Sequence, residues 1–179
     1  QATGANPLLS ADRAHDVRLE GFRIEGGGIG TGGGAPPGVV TMRGARNVSL
    51  ERLAISGAPG TGFYLERCSG SVRGCRIERV GAAGLWVMDS LGLEIVGNTI
   101  EACADNGILV WRSEPGEDGT LVAQNRITQI AAVSGGSGQN GNGINVFRAG
   151  RVRVTGNDIA DCAYSAVRGN AASNIQIVA

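Results

Sequence analysis

Isoleucine recurs at Ile24, Ile55, Ile77, Ile100, Ile127 and Ile159, and only isoleucine holds that place in the repeat. Five residues ahead of each runs a second apolar column: Leu19, Leu50, Val72, Ile95, Val122 and Val154, continued by Ile177. The intervals in that column are 31, 22, 23, 27, 32 and 23 residues. A short minimum period, with insertions confined to the same gaps, is the mark of a solenoid. Each coil is too small to bury its own apolar face, and stacked coils bury it against one another.

A third segment reads Gly-apolar-x-apolar: GVVTM (38–42), GFYLE (62–66), GLWVM (84–88), GILVW (107–111) and GINVF (143–147), with a weaker copy in SAVRG (165–169). Every repeat therefore holds three short segments rich in β-branched residues, Gly and Asn, which are strands and not helices. A leucine-rich repeat of similar period would need a helical segment and an L-x-x-L-x-L-x-x-N frame, and both are absent from the sequence. The pattern predicts an all-β chain: a single-stranded right-handed parallel β-helix of six to seven coils with three short strands per coil, its rungs about 4.8 Å apart. Residues 15–179 make up this domain, and residues 1–14 are expected to be an N-terminal extension or linker. The chain ends in SNIQIVA, a strand with no polar cap, which predicts a longer solenoid.

Smaller columns share the register. Asn98, Asn125 and Asn157 align at the bend before the isoleucines, where stacked amides can bond up the ladder and tolerate left-handed turns. Cys75 takes that place one rung earlier. Val80, Cys103, Ile130 and Cys162 also align, so the cysteines are expected to be buried free thiols. Cys103 and Cys162 stand two rungs apart, roughly 9–10 Å, beyond disulfide reach, which leaves Cys68–Cys75 as the pairing open to the chain. None of the four has metal-ligand spacing. His15 is the one histidine and is expected to be structural or solvated.

The outward positions of the third segment carry aromatics on successive rungs. Equating the glycines of the copies, one outward column reads Val40, Tyr64, Trp86, Leu109 and Asn145, and the next Met42, Glu66, Met88, Trp111 and Phe147. Beside them runs Arg43, Arg67, Asp89, Arg112 and Arg148. Rings at rung spacing suit the C–H faces of sugars, and arginines suit carboxylates or phosphates. This makes Tyr64, Trp86, Trp111, Phe147, Arg43, Arg67, Arg112 and Arg148 the candidate ligand residues, with an anionic polysaccharide as partner. The competing reading is that the insertions at 27–38, 113–118 and 131–143 fold over this face, or that a subunit interface does, which would make the tryptophans core.

Catalysis on polysaccharides needs paired carboxylates or an arginine base near a cation. The weak candidates are Asp89, Arg112 and Glu66, with Asp105, Glu114, Glu117 and Asp118 nearby. Asp89 and Arg112 fall on adjacent rungs, and a structural salt bridge is the plainer expectation. SEPGEDG (113–119) could offer Ca²⁺ several oxygens but lacks the alternate-position spacing of a calcium loop, so no metal site is assigned. GGGIGTGGG has no strand–helix unit around it and is read as an excursion, not a phosphate loop. All 16 cationic side chains are Arg, balanced by 16 acids. Lysine chemistry is thereby excluded, and zero net charge gives no general attraction to nucleic acid or acidic membranes. No run of about 18 apolar residues exists to cross a membrane as a helix, and the chain shows no signal peptide.

RNVSLERLAISG, LEIVGNTIEACADNGILVWRS and GRVRVTGNDIADCAYSAVRGN resemble the parallel β-helix repeats of the pectate-lyase-like superfamily. More narrowly, GNTIEAC…NGILVWR and the all-arginine composition resemble the uncharacterised bacterial twin-arginine-translocated repetitive proteins. That resemblance implies a periplasmic or extracellular location. The superfamily holds lyases, hydrolases, epimerases and non-enzymatic adhesins, and no catalytic residue carries over: the acidic cluster of the Ca²⁺-dependent lyases, the epimerases' Asp-Pro-His-Glu motif and the polygalacturonases' paired aspartates are missing. Three functions follow in order: a non-catalytic module binding an anionic glycan, a polysaccharide lyase, hydrolase or epimerase, and a structural module associating end to end or side by side.

Overall fold

The computed structural model describes residues 7–26 and 38–178. The first coil is β1 (Leu9–Asp12), β2 (Arg18–Glu20) and β3 (Arg23–Glu25). The second is β4 (Gly38–Arg43), β5 (Val48–Glu51) and β6 (Ala54–Ser56), and the third β7 (Thr61–Glu66), β8 (Gly70–Arg73) and β9 (Arg76–Val80). The fourth is β10 (Ala83–Met88), β11 (Glu94–Val96) and β12 (Thr99–Cys103). The fifth and widest holds β13 (Asn106–Glu117), β14 (Leu121–Ala123) and β15 (Arg126–Ile130). The sixth is β16 (Asn142–Gly150), β17 (Arg153–Thr155) and β18 (Asp158–Ile159), and β19 (Val167–Asn170) and β20 (Gln176–Val178) begin a seventh. Like strands of successive coils pair in parallel, giving a first sheet β1-β4-β7-β10-β13-β16-β19, a second β2-β5-β8-β11-β14-β17-β20 and a third β3-β6-β9-β12-β15-β18.

Both long columns stand as the sequence predicts. Leu19, Leu50, Val72, Ile95, Val122, Val154 and Ile177 are successive partners in the second sheet. Ile24, Ile55, Ile77, Ile100, Ile127 and Ile159 are successive partners in the third. Ile77, Ile95, Ile100 and Ile127 are wholly buried, so the stack supplies the shared core that no single coil can form. The coil is thin enough that the first sheet touches the third through glycine. A β-carbon on Gly62, Gly84, Gly107 or Gly143 would lie within 2.7 Å of Cγ2 of Ile77, Ile100, Ile127 or Ile159 respectively. This is why glycine opens the copies at 62, 84, 107 and 143.

At the bend between the second and third sheets, Asn98 accepts from the Cys75 amide (2.9 Å) and donates to Val72 O (3.0 Å). Asn125 and Asn157 repeat the pattern one and two rungs on. The left-handed residue of the bend is not the asparagine, as the alignment implied, but the one before it: Gly97 (φ 67), Gln124 (φ 54) and Gly156 (φ 60). The amide is thereby free to cap backbone one rung away. All four cysteines are free, with Cys68, Cys75 and Cys103 buried and Cys162 half-buried. His15 is exposed and bridges to Arg46 only through the backbone.

Three expectations need correction. Residues 9–12, assigned to an N-terminal extension, are already a rung, with Leu9 opposite Val40 and Asp12 opposite Arg43. In the second coil the columns shift by one: Gly38 pairs with Thr61, not Gly62, so Val40 partners Phe63 and Met42 partners Leu65. A strand alternates with a period of two, so a one-residue slip exchanges its faces. Val40 and Met42 therefore point into the core, and Thr41 and Arg43 take the outward places. Third, SEPGED is no separate loop. β13 runs on through it to Glu117 and pairs Gly116 with Ala149 after a bulge between Trp111 and Gly116. Of the three insertions, residues 27–37 lie outside the described residues.

Candidate ligand-binding face

The outer surface of the first sheet carries a continuous run of rings. Tyr64 meets Trp86 edge-on at 5.9 Å between centroids, Trp86 meets Trp111 at 5.9 Å, and Trp111 meets Phe147 at 4.4 Å. The run is diagonal. Tyr64 and Trp86 share one outward column, Trp111 and Phe147 the next, and large rings reach across that offset. The lower end is closed: Tyr64 is 1% exposed, and its hydroxyl lies 3.4 Å from Glu66 Oε2 and 3.3 Å from Met88 Sδ. Burial, then the nearby Glu66 charge, pushes its phenol up to about 12. Tyr64, expected among the ligand residues, is a buried foundation for Trp86. Trp86, Trp111 and Phe147 are half-buried and keep part of their surface in solvent.

Two insertions border this strip, each held by an aspartate. Asp89 accepts from both the amide and the hydroxyl of Ser113, each at 2.8 Å. Asp105 does the same for Ser134, at 2.9 and 2.8 Å. The first clasp fixes the β13 bulge beside Trp111. The second fixes residues 131–141, whose Gln139 carbonyl accepts from Asn106 (3.2 Å) and Asn145 (2.9 Å). Asn145 and Leu109 point outward from the sheet yet are 1% and 4% exposed. Covering and display are thus both realised. The strand's unbroken apolar run, Ile108 to Trp111, is capped outside at Leu109 and open at Trp111.

The arginines divide into two groups. Arg43 and Arg67 both bind Glu66, at 3.2 and 2.6 Å, so three of the expected site residues are engaged with one another. Arg112 and Arg148 have no carboxylate partner among the described residues and touch backbone carbonyls: Arg112 at Ser90 O (3.5 Å) and Arg148 at Ser113 O (2.5 Å). The Asp89–Arg112 salt bridge is not formed, because both Asp89 oxygens are spent on Ser113. Arg148 also lies over the Phe147 ring, 4.8 Å from its centroid.

The residue that sequence reading undervalued is Asp118. It is 3% exposed, accepts from the Thr120 amide at 3.1 Å, and leaves Oδ2 buried without a partner. Burial raises its carboxyl above the usual range, against the opposing pull of Thr120 and Arg112. Arg112 Nε and Thr120 Oγ1 are buried and unpartnered as well. Nothing in SEPGED marks Asp118 apart from its neighbours, because its burial follows from β13 passing the corner. Glu117 pairs with Arg151 (3.2 Å), and Glu114 is exposed. Among the described residues no group of three or more His, Cys, Asp or Glu is placed to hold a metal. A groove of about 820 Å³ opens around the corner between Glu117, Asp118, Leu121, Arg151, Arg153 and Gln176. It is crossed by the Arg151–Glu117 and Arg153–Gln176 bonds and does not reach the ring strip.

Three parallel sheets, each taking one strand per coil, with a bordered aromatic strip on one of them, define a single-stranded parallel β-helix. The model of the right handed beta helix region family matches residues 4–127 and again 40–179. The chain belongs to that family, and its coils are right-handed. No solved structure gives a significant match.

Proposed function

We propose that this β-helix is an exported, non-catalytic module that binds an anionic polysaccharide of the cell envelope or surroundings along Trp86, Trp111 and Phe147. The observation that carries the reading is the ring run itself. Half-exposed aromatics 5.9 and 4.4 Å apart, bordered by two clasped insertions, form a rigid apolar platform in a polar surface. Such a platform pays little ordering cost on binding and offers C–H stacking faces. Export rests on the resemblance to the twin-arginine-translocated repetitive proteins.

The absence of turnover is supported by the state of the carboxylates. Glu66 is held between two arginines, Asp89 and Asp105 are clasps, and Asp118 is sealed from solvent. None of these four stands ready to transfer a proton to a bound sugar. Calorimetry with pectate, alginate and lipopolysaccharide tests the reading, alongside absorbance and reducing-end assays for cleavage with and without Ca²⁺. Binding that weakens about tenfold or more in Trp111→Ala, with no product formed, is the expected result. Product formation would replace the binding module with the lyase, hydrolase or epimerase alternative. Binding to none of the polymers would end the glycan reading.

A further inference from the structure

Resting on that reading, we infer that charge recognition is confined to one two-arginine clamp, Arg112 and Arg148, which reads a single anionic group at the Trp111–Phe147 end of the strip.

Four arginines border the rings, while Arg168, opposite Asn145 on the next rung, lies against Gly138 of the clasped insertion. Arg43 and Arg67 are spent on Glu66. A ligand anion there would have to displace a carboxylate already in place, and would meet the charge of Glu66 itself. Arg112 and Arg148 stand on adjacent rungs, immediately after the paired Trp111 and Phe147. Each uses one N–H on a backbone carbonyl, and a guanidinium has five. The carboxylate that would neutralise Arg112 from below, Asp89, has both oxygens occupied by Ser113. Asp118 is close enough for its carboxyl to feel Arg112, but it faces the interior with Oδ2 unbonded. The remaining N–H groups of Arg148, and those of Arg112 other than its buried Nε, are left for a ligand.

The positions fit one sugar ring. A ring stacked on Trp111 and Phe147, whose centroids are 4.4 Å apart, carries its substituents at the rim, where the two arginines emerge. Arg148 is steadied by its contact with the Phe147 ring and by Ser113, and Ser113 is steadied by Asp89. The β13 bulge thus acts as the clamp's mount. Further down the strip, Trp86 and Tyr64 have beside them only the Arg43–Glu66–Arg67 group, whose arginines are already engaged with a carboxylate, so a neutral ring is accepted there as well as a charged one.

The test is calorimetry with a short oligogalacturonate and its fully methyl-esterified form, on the wild type, on Arg112→Gln/Arg148→Gln and on Arg43→Gln/Arg67→Gln. Removing two charge-assisted bonds is expected to weaken the acid form about tenfold or more and leave the ester within about twofold. The Arg43/Arg67 variant should hold both forms within about twofold, since exposed ion pairs contribute little. A measurement on the wild type alone gives an independent reading: added salt should weaken the acid form and not the ester. Equal loss of both forms in the Arg112/Arg148 variant, or equal loss in the two variants, overturns the clamp and leaves the platform standing. Wild-type protein that binds neither form overturns the clamp, and the platform falls with it only if alginate and lipopolysaccharide also fail to bind.

Discussion

Gly84 lies so close to Ile100 that a β-carbon on the glycine would sit 2.5 Å from Ile100 Cγ2, with Gly107 O at 2.9 Å and Cys103 Sγ at 3.2 Å. The same contact recurs at Gly62–Ile77, Gly107–Ile127 and Gly143–Ile159. It sets the thickness of the coil where the first sheet meets the third. It also makes the isoleucine column and the glycine column two halves of one packing rule.

Gly84→Ala is therefore expected to destabilise the protein by about 1–3 kcal/mol, the usual cost of overfilling a packed core. Urea denaturation measures it. Pairing it with Ile100→Ala, which alone costs about 2–5 kcal/mol, should give a double variant less destabilised than the sum, by about 1 kcal/mol or more. Strict additivity would mean that the contact does not limit the packing.

Asn125 is 1% exposed and its side chain accepts from the Asn98 amide and donates to Ile95 O on the preceding rung, and donates to Asn157 Oδ1 on the next, each at 2.9 Å. Asn125→Ala orphans the Asn98 amide and Ile95 O inside the bend, and about 3 kcal/mol of stability should be lost. Hydrogen exchange of the Asn98 amide should accelerate in the variant. An unchanged rate would show that the ladder does not protect that bend.

Asp118 has a folded-state carboxyl pKa raised chiefly by burial. A group raised on folding contributes its stability below its unfolded value and loses it as the pH climbs through the folded value. The wild type should therefore shed stability on passing from acid toward neutral pH through this one group. Asp118→Asn keeps an oxygen for the Thr120 amide and carries no charge. Its melting temperature is expected to exceed that of the wild type at neutral pH and to converge with it in acid. A variant less stable at neutral pH would show that the Arg112 charge outweighs burial.

Burial pushes the Cys103 thiol up to about 12, and those of Cys68, Cys75 and Cys162 upward as well. The thiolate is the reactive form. In native protein at neutral pH, Ellman's reagent should modify the half-buried Cys162 first, and all four thiols only after unfolding. Rapid modification of Cys103 in the folded state would contradict its place between Val80 and Ile130.

Repetition made the fold readable. The two aliphatic columns and the asparagine ladder recur at positions whose chemistry is the same on every rung, so a linear alignment locates vertical neighbours. Trp111, Phe147, Arg112 and Arg148 were legible for the same reason, since they follow an unambiguous Gly-Ile. The second coil misled because Gly38 looks like the column glycine, and only strand pairing sets Val39 in that place opposite Gly62.

By itself the sequence determined which residues stack in the second and third sheets, because a period of two within strands and a recurring coil leave one register that aligns the isoleucines. Which side chains neutralise one another was decided only in three dimensions. Glu66 reaches Arg43 across a rung and Arg67 beside it, Asp89 turns to Ser113 and not to Arg112, and Asp118 disappears under a strand that overruns its corner. A carboxylate's partner depends on side-chain direction and on the path of insertions. Neither is periodic, so neither is written in the repeat.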